Sequence, residues 1–334
     1  MLTDRIDKPL LQVRDLKTWF PIKRGVLART HGHVRAVDGV SLEVHAGETV
    51  GLVGESGCGK TTLGRTVIGL EKPRSGEIRL DGTPLWPVSH DESLPWRRRI
   101  QMVFQDPYSS LNPRLTVLDT LTEGLIEHRL IKSRDRRDAA VRLLKEVGVD
   151  EDALHRYPHE FSGGQRQRIS IARAIAFRPD IVVCDEAVSA LDVSVRAQVL
   201  NLLLDLRRQH SLAYIFISHD LGVVRHIAHR VFVMYLGVIM EEGSVDAVLD
   251  WPVHPYTRAL LSAVPAPFGE RKGRLVLSGE VPSPANPPSG CRFHTRCPWA
   301  KDECSRTVPP LETYSVADVP ERRVACIRKA EISR

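Results

Sequence analysis

The run GESGCGKTT at residues 54–62 constrains this chain more than any other feature. It is entered from the apolar run ETVGLVG and left through KTTLGRTVIGL, so a strand feeds a glycine-rich loop that opens a helix. That context, with the pattern G-x-x-x-x-G-K-S/T, predicts a triphosphate-binding loop. Gly54, Gly57 and Gly59 let successive backbone amides turn inward toward phosphate oxygens. Lys60 brings a charge toward the β and γ phosphates, and the Thr61 hydroxyl is placed to ligate Mg2+. Glu55, Ser56, Cys58 and Thr62 complete the loop.

Apolar runs and helix-compatible stretches then alternate. The helix pattern of SGGQRQRISIARAIAF leads into the apolar run DIVVCDE, and SVRAQVLNLLLDLRRQH leads into LAYIFIS. This alternation predicts an α/β fold with a mainly parallel sheet covered on both faces. The run IVVCDE ends in two carboxylates at the carboxyl end of a buried strand, where doubly wound sheets bind ligands. Asp185 is placed to hold Mg2+ and Glu186 to take a proton from the attacking water. Gln105 in QMVFQDP and His219 in YIFISHD each follow an apolar strand. Such residues are more often plain polar strand ends; beside a triphosphate they reach toward the γ-phosphate.

The chain has 334 residues, enough for one large or two ordinary domains. Its longest apolar run, VFVMYLGVIM at 231–240, is half of what a bilayer span needs, and MLTDRIDKPLLQV offers no signal-peptide core. A membrane role therefore requires a partner. The net charge of +6 permits nucleic-acid binding without arguing for it, because clusters such as Arg97-Arg98-Arg99 are more often solvated faces. After about residue 250, PAPFGE and VPSPANPPSG shift the composition toward proline and predict a boundary with a small module beyond it.

FSGGQRQR starts a helix at Ser162-Gly163-Gly164, a second anion-binding device in a chain that already has one. The economical explanation is that each is half of a site completed by another subunit. With this motif the sequence resembles the ATP-binding subunits of ABC transporters. Over residues 10 to about 250 it carries GESGCGKT (Walker A), MVFQDP (Q-loop), FSGGQ (signature), IVVCDE (Walker B), SALD (D-loop) and SHD (H-loop) in the family's order. The resemblance implies a P-loop, RecA-like core over 1–250 with an antiparallel β subdomain and an inserted helical subdomain at about 106–175. It also implies a head-to-tail dimer with two ATP molecules between the subunits. Ser162, Gly163, Gly164 and Gln165 would then bind the partner's nucleotide, and Asp192 would link the two sites. Glu186 would be the catalytic base, His219 would hold the γ-phosphate, and Gln105 would join Thr61 and Asp185 at Mg2+. Trp19 resembles the aromatic residue that stacks on adenine, with Phe20 beside it as the alternative. Ala187, Phe161 and Thr61 depart from the usual proline, leucine and serine without removing a catalytic group.

DPYSSLNPRLTV, HPYTRALLSAVP, LSGEVPSP and GCRFHTRCP narrow the resemblance to the dipeptide and oligopeptide permease ATPases, nearest the second of the two dipeptide-permease ATPases. That resemblance implies an ATPase at the cytoplasmic face of the inner membrane that energises import of di- and oligopeptides. Its implied partners are a homologous second ATPase, two membrane permease subunits and, indirectly, an extracytoplasmic binding protein; no nucleic acid is expected. The surface around Tyr108 to Pro113 would receive a membrane subunit. Rival cargoes are nickel, glutathione or murein peptides, and the rival class is a soluble ABC ATPase acting on nucleic acid or ribosomes.

Four of the six cysteines, Cys291, Cys297, Cys304 and Cys326, crowd into the 251–334 module. Disulfides suit an oxidising compartment, which an ATPase does not share. A short segment rich in proline and charge gains cohesion from a metal. Four thiolates suit zinc or an iron–sulfur cluster. The resemblance favours a 4Fe-4S cluster, with Zn2+ as runner-up, in a structural or redox-sensing role. Cys58 and Cys184 belong to the phosphate loop and a buried strand.

Overall fold

The computed structural model describes residues 8–25, 29–86, 90–106, 110–263, 275, 277, 279–316 and 319–332. Tyr108 and the PAPFGE run lie outside them. The chain divides into two compact units, one of 1–10, 44–48 and 87–217, the other of 11–43, 49–86 and 218–334. Among the described residues no helix is long and apolar enough to cross a membrane.

The first unit is built on three parallel strands, Ile100–Val103, Ile181–Asp185 and Ala213–Ser218. The middle strand pairs on both sides, which is why all five of its residues are buried and apolar until the final Asp185. Helices Val117–Glu127, Arg136–Glu146 and Gly163–Ile175 pack on one another, and Leu121, Leu125, Leu143 and Leu144 are buried. Thr116 caps the first of them by accepting the Asp119 amide at 3.2 Å, and Asp119 pairs with Arg136 of the second. Helix Val193–His210 buries Val199, Leu200, Leu203 and Leu206, the three- and four-residue spacing expected of a one-sided helix.

In the second unit, the long strands Leu11–Arg24 and Arg29–Val44 form a sheet with Ser75–Leu80 and Thr83–Pro84. A second sheet holds the loop strand Thr49–Val53, parallel to Arg230–Tyr235. The apolar run 231–240 proves to be a hairpin. Leu236 and Gly237 both take positive φ, 42° and 80°, and turn Arg230–Tyr235 into the antiparallel strand Val238–Ser244.

The tail adds to this sheet. Strand Val319–Val324 pairs antiparallel with Val238–Ser244, and Glu312–Val316 pairs with Val319–Val324 in turn. Phe293 is fully buried, 5.3 Å from the rings of both Tyr235 and Tyr256 and 5.8 Å from that of His254. The proline-rich composition suggested a module cohering through its cysteines. Strand pairing and an aromatic anchor also tie the tail to the core that holds the phosphate loop, because Val238–Ser244 would otherwise be an open sheet edge.

Candidate functional site

The phosphate loop lies in the second unit, between strand Thr49–Val53 and helix Lys60–Val67. Gly54 has φ 153° and a Cβ there would lie 2.2 Å from the Met234 carbonyl oxygen. Gly59 has φ 110° and a Cβ would lie 2.0 Å from that of Ala36. Both glycines are therefore demanded by close backbone approach as well as by dihedral. Helix Lys60–Val67 has no side-chain cap and no acidic residue in its first turn, so its leading amides and dipole suit an anion. Lys60 is buried, with its ammonium donating to the carbonyls of Gly54 at 2.8 Å and Glu55 at 3.0 Å, so the charge is fixed inside the curl of the loop. Burial pushes the Cys58 thiol up despite the neighbouring Lys60 charge, which keeps it a neutral packing group.

Trp19 lies in the same unit. Its indole donates to Asp38 at 3.1 Å, and the guanidinium groups of Arg74 and Arg35 sit 4.6 and 4.9 Å from its ring centre. The ring is thus held in place with cations beside it. His219 is exposed at the end of Ala213–Ser218, on a turn fixed by the Asp220 carboxylate, which accepts the amides of Gly222 and Val223.

The first unit carries Gln105, Ser162–Gln165, Asp185, Glu186 and Asp192. Asp185 closes the buried strand and is 3% exposed. Glu186 follows with φ 47°, a left-handed backbone that bulky residues rarely adopt. Its amide donates to Ile217 at 3.0 Å, and its carbonyl accepts from the Ser189 amide and hydroxyl. Its carboxylate accepts from the Gln105 amide at 2.8 Å. The structure therefore brings together Gln105 and Glu186, two residues 81 apart.

Ser162 opens its helix as a capping box: its hydroxyl accepts the Gln165 amide at 3.3 Å and Gln165 accepts the Ser162 amide at 3.1 Å. One of the leading amides of this helix, that of Gln165, is thus taken up locally. Gly164 approaches Val195 so closely that a Cβ would lie 2.4 Å from its methyl, and Leu191 lies against Gly163. The signature and the SALD loop therefore share one surface. On it Asp192 and Val193 are both exposed.

The tail cysteines are all free thiols, and all four line one small cavity with His254, Phe293 and Trp299. Burial, helped by the neighbouring thiols, pushes Cys291 up to about 12 and Cys297 up to about 11. They stay protonated unless a cation compensates. A four-thiol donor set fits an iron–sulfur cluster or zinc. Among the described residues, however, no group of three or more His, Cys, Asp or Glu side chains is drawn into a ligand sphere. The four thiols gather around one cavity, where the Cys291 amide donates to the Cys304 carbonyl at 2.8 Å.

Sequence reading missed four residues that build the loop's surroundings: Asp38, Tyr256, Arg292 and Arg296. Tyr256, in the quoted HPYTRALL run, accepts the Glu55 amide at 2.7 Å. It is placed by Glu241, whose buried carboxylate accepts the amides of Val253 and His254, and by His254, whose ring accepts the Tyr256 amide. Burial pushes His254 down to about 3, so the ring is neutral and able to accept.

Residues 37–189 match the family described as "ABC transporter", and residues 240–304 match "Oligopeptide/dipeptide transporter, C-terminal region". The chain is 49% identical over 329 residues to the oligopeptide transport ATP-binding protein AppF of Bacillus subtilis, covering 97% of this chain and 99% of the relative. It is 47% identical to the di/tripeptide transport ATP-binding protein DppF of Pseudomonas aeruginosa, covering 95% and 97%. A solved dimeric ATP-binding cassette, MJ0796 in a post-hydrolysis state bound to ADP and Pi, matches with a TM-score of 0.63 and 29% identity. That match covers 70% of this chain and 98% of the other.

Proposed function

We propose, for a chain that belongs to the ATP-binding subunits of peptide ABC transporters, the residue roles and partners through which it turns ATP hydrolysis into peptide import. The ATPase activity and its coupling to peptide transport rest on one observation above all. Half of the residues are identical to those of an oligopeptide transport ATP-binding protein along almost the whole of both chains. In our reading Gly54–Thr62 wraps the phosphates, Lys60 binds the β and γ oxygens, and Trp19 stacks on adenine. Thr61, Gln105 and Asp185 hold Mg2+, which when bound draws charge from the transferring phosphoryl group. Glu186 takes the proton of the attacking water, oriented by its bond to Gln105, and His219 holds the γ-phosphate.

Each ATP needs a second chain. Ser162, Gly163, Gly164 and Gln165 serve the partner's nucleotide, and Asp192 meets the partner across the dimer. The close approach of Gly164 to Val195 and of Gly163 to Leu191, which puts the signature and the SALD loop on one surface, supports a single partner meeting both. The partner is a homologous, non-identical ATPase beneath two permease subunits at the cytoplasmic face of the membrane, with an extracytoplasmic binding protein delivering peptide. Affinity purification from detergent-solubilised membranes should recover two integral membrane proteins and a second ATPase. ATPase activity of that complex should rise when peptide-loaded binding protein is added. Recovery of ribosomes or DNA in their place would instead favour the soluble class.

Cys291, Cys297, Cys304 and Cys326 hold, in this reading, a 4Fe-4S cluster whose role is to tie the tail together, with Zn2+ as the alternative. The gathering of four free thiols at one cavity supports it. Anaerobically purified protein should be brown, with broad absorbance near ~400 nm and about four iron atoms per chain. Stoichiometric zinc in a colourless protein would select the alternative, and a metal-free anaerobic protein would reject both.

A further inference from the structure

The tail run CRFHTRC carries two arginines between its first two cysteines, and each reaches a different end of the nucleotide site. Arg296 is 8% exposed and grips the Glu55 carboxylate with both terminal nitrogens, at 2.7 and 3.1 Å. Glu55 is the second residue of the phosphate loop, and its amide is already taken by Tyr256. Side chain and backbone of one loop residue are therefore both fixed by residues beyond 250. Arg292 pairs with Asp38 and donates to the Leu236 carbonyl; the other Asp38 oxygen accepts the Trp19 indole. The Leu236–Gly237 turn joins the two paths, since the Gly237 amide donates to the Cys58 carbonyl at 2.9 Å and its carbonyl accepts the Asp38 amide at 2.8 Å. Phe293, locked between Tyr235, Tyr256 and His254, keeps the run from shifting.

We propose that the segment 291–297 is a clamp on the nucleotide pocket, with Arg296 and Arg292 as positioning residues for ATP. The inference rests on the reading that Gly54–Thr62 and Trp19 hold the nucleotide. A bidentate arginine–carboxylate pair fixes direction as well as distance, and breaking one when buried strands an uncompensated charge. The loop's amides are therefore aligned for phosphate only while the tail is in place. Coupling of this kind is reciprocal: ordering of the thiol cavity and binding of ATP favour each other.

The test uses the full chain, with MgATP affinity measured by calorimetry and steady-state ATPase measured in the assembled transporter. Arg296→Gln should raise Kd and KM for ATP about tenfold, a usual size for coupled sites, with kcat falling less than KM rises. Arg296→Lys should restore part of the affinity, a rescue that mere loss of packing would not give. Glu55→Gln breaks the same pair from the loop side with the tail untouched, and carries the test if Arg296→Gln does not fold. The double variant should be no weaker than the worse single. Arg292→Gln should lower affinity with unchanged loop residues. Wild-type affinity in both Arg296→Gln and Glu55→Gln, or two effects that simply add, would overturn the clamp. Normal MgATP binding by Lys60→Ala would overturn the nucleotide reading beneath it.

Discussion

In Glu186→Gln protein, ATP turnover should fall about 10^2- to 10^4-fold while MgATP binding persists, as expected when a positioned general base is removed. The substitution keeps size and leaves the hydrogen bonds of residue 186's backbone to Ile217 and Ser189 intact, so the left-handed turn that presents the side chain is preserved. An amide still bonds to Gln105 but does not accept the water's proton. The variant should therefore trap nucleotide in the assembled transporter, seen as ATP retained after gel filtration with little ADP formed. The change is made in both ATPase subunits so that the companion site does not mask it. Turnover at the wild-type rate would remove Glu186 from the chemistry.

Gly59→Ala should weaken ATP binding by more than about a hundredfold, roughly 3 kcal/mol. Two costs combine there: φ of 110° is foreign to alanine, and the new Cβ meets the Ala36 carbonyl at 2.0 Å, backbone that cannot swing aside. Relief requires moving the first residue pair of helix Lys60–Val67, and with it the amides and the ammonium that bind phosphate. Gly57→Ala is the informative comparison. Its φ of 78° is also left-handed, but nothing lies within 4 Å of the added carbon, so only the dihedral cost of about 1–2 kcal/mol remains. Calorimetric titration of both variants with MgATP should therefore rank Gly59→Ala well below Gly57→Ala. Equal losses would mean that the Ala36 contact does not govern the loop.

Local chemistry was written plainly in the sequence. A glycine pattern between an apolar run and a helix start specifies a phosphate loop, because each requirement is met within nine consecutive residues. The buried strand Ile181–Asp185 was legible for the same reason: an uninterrupted apolar run ending in carboxylates has one good environment, a central parallel strand. The hairpin within 231–240 was not legible. Every residue on both sides of the turn is apolar, so alternation gives no break, and Gly237 alone does not distinguish a turn from a buried glycine.

How distant residues meet emerged only with the folded chain. The tail's composition argued for a separate module, yet its strands complete a sheet edge and Phe293 enters the aromatic core. The four tail cysteines were grouped in the sequence, but Arg296 to Glu55 is a contact across 241 residues. No periodicity records such a pair, since an arginine on a short loop reads as solvated until the fold supplies its carboxylate. Residue order was enough to establish that this chain handles a nucleoside triphosphate, because that chemistry is built from neighbouring backbone amides. That the C-terminal segment grips the same loop was settled by packing, because ion pairs and aromatic contacts depend on position in space and leave no trace in chain order.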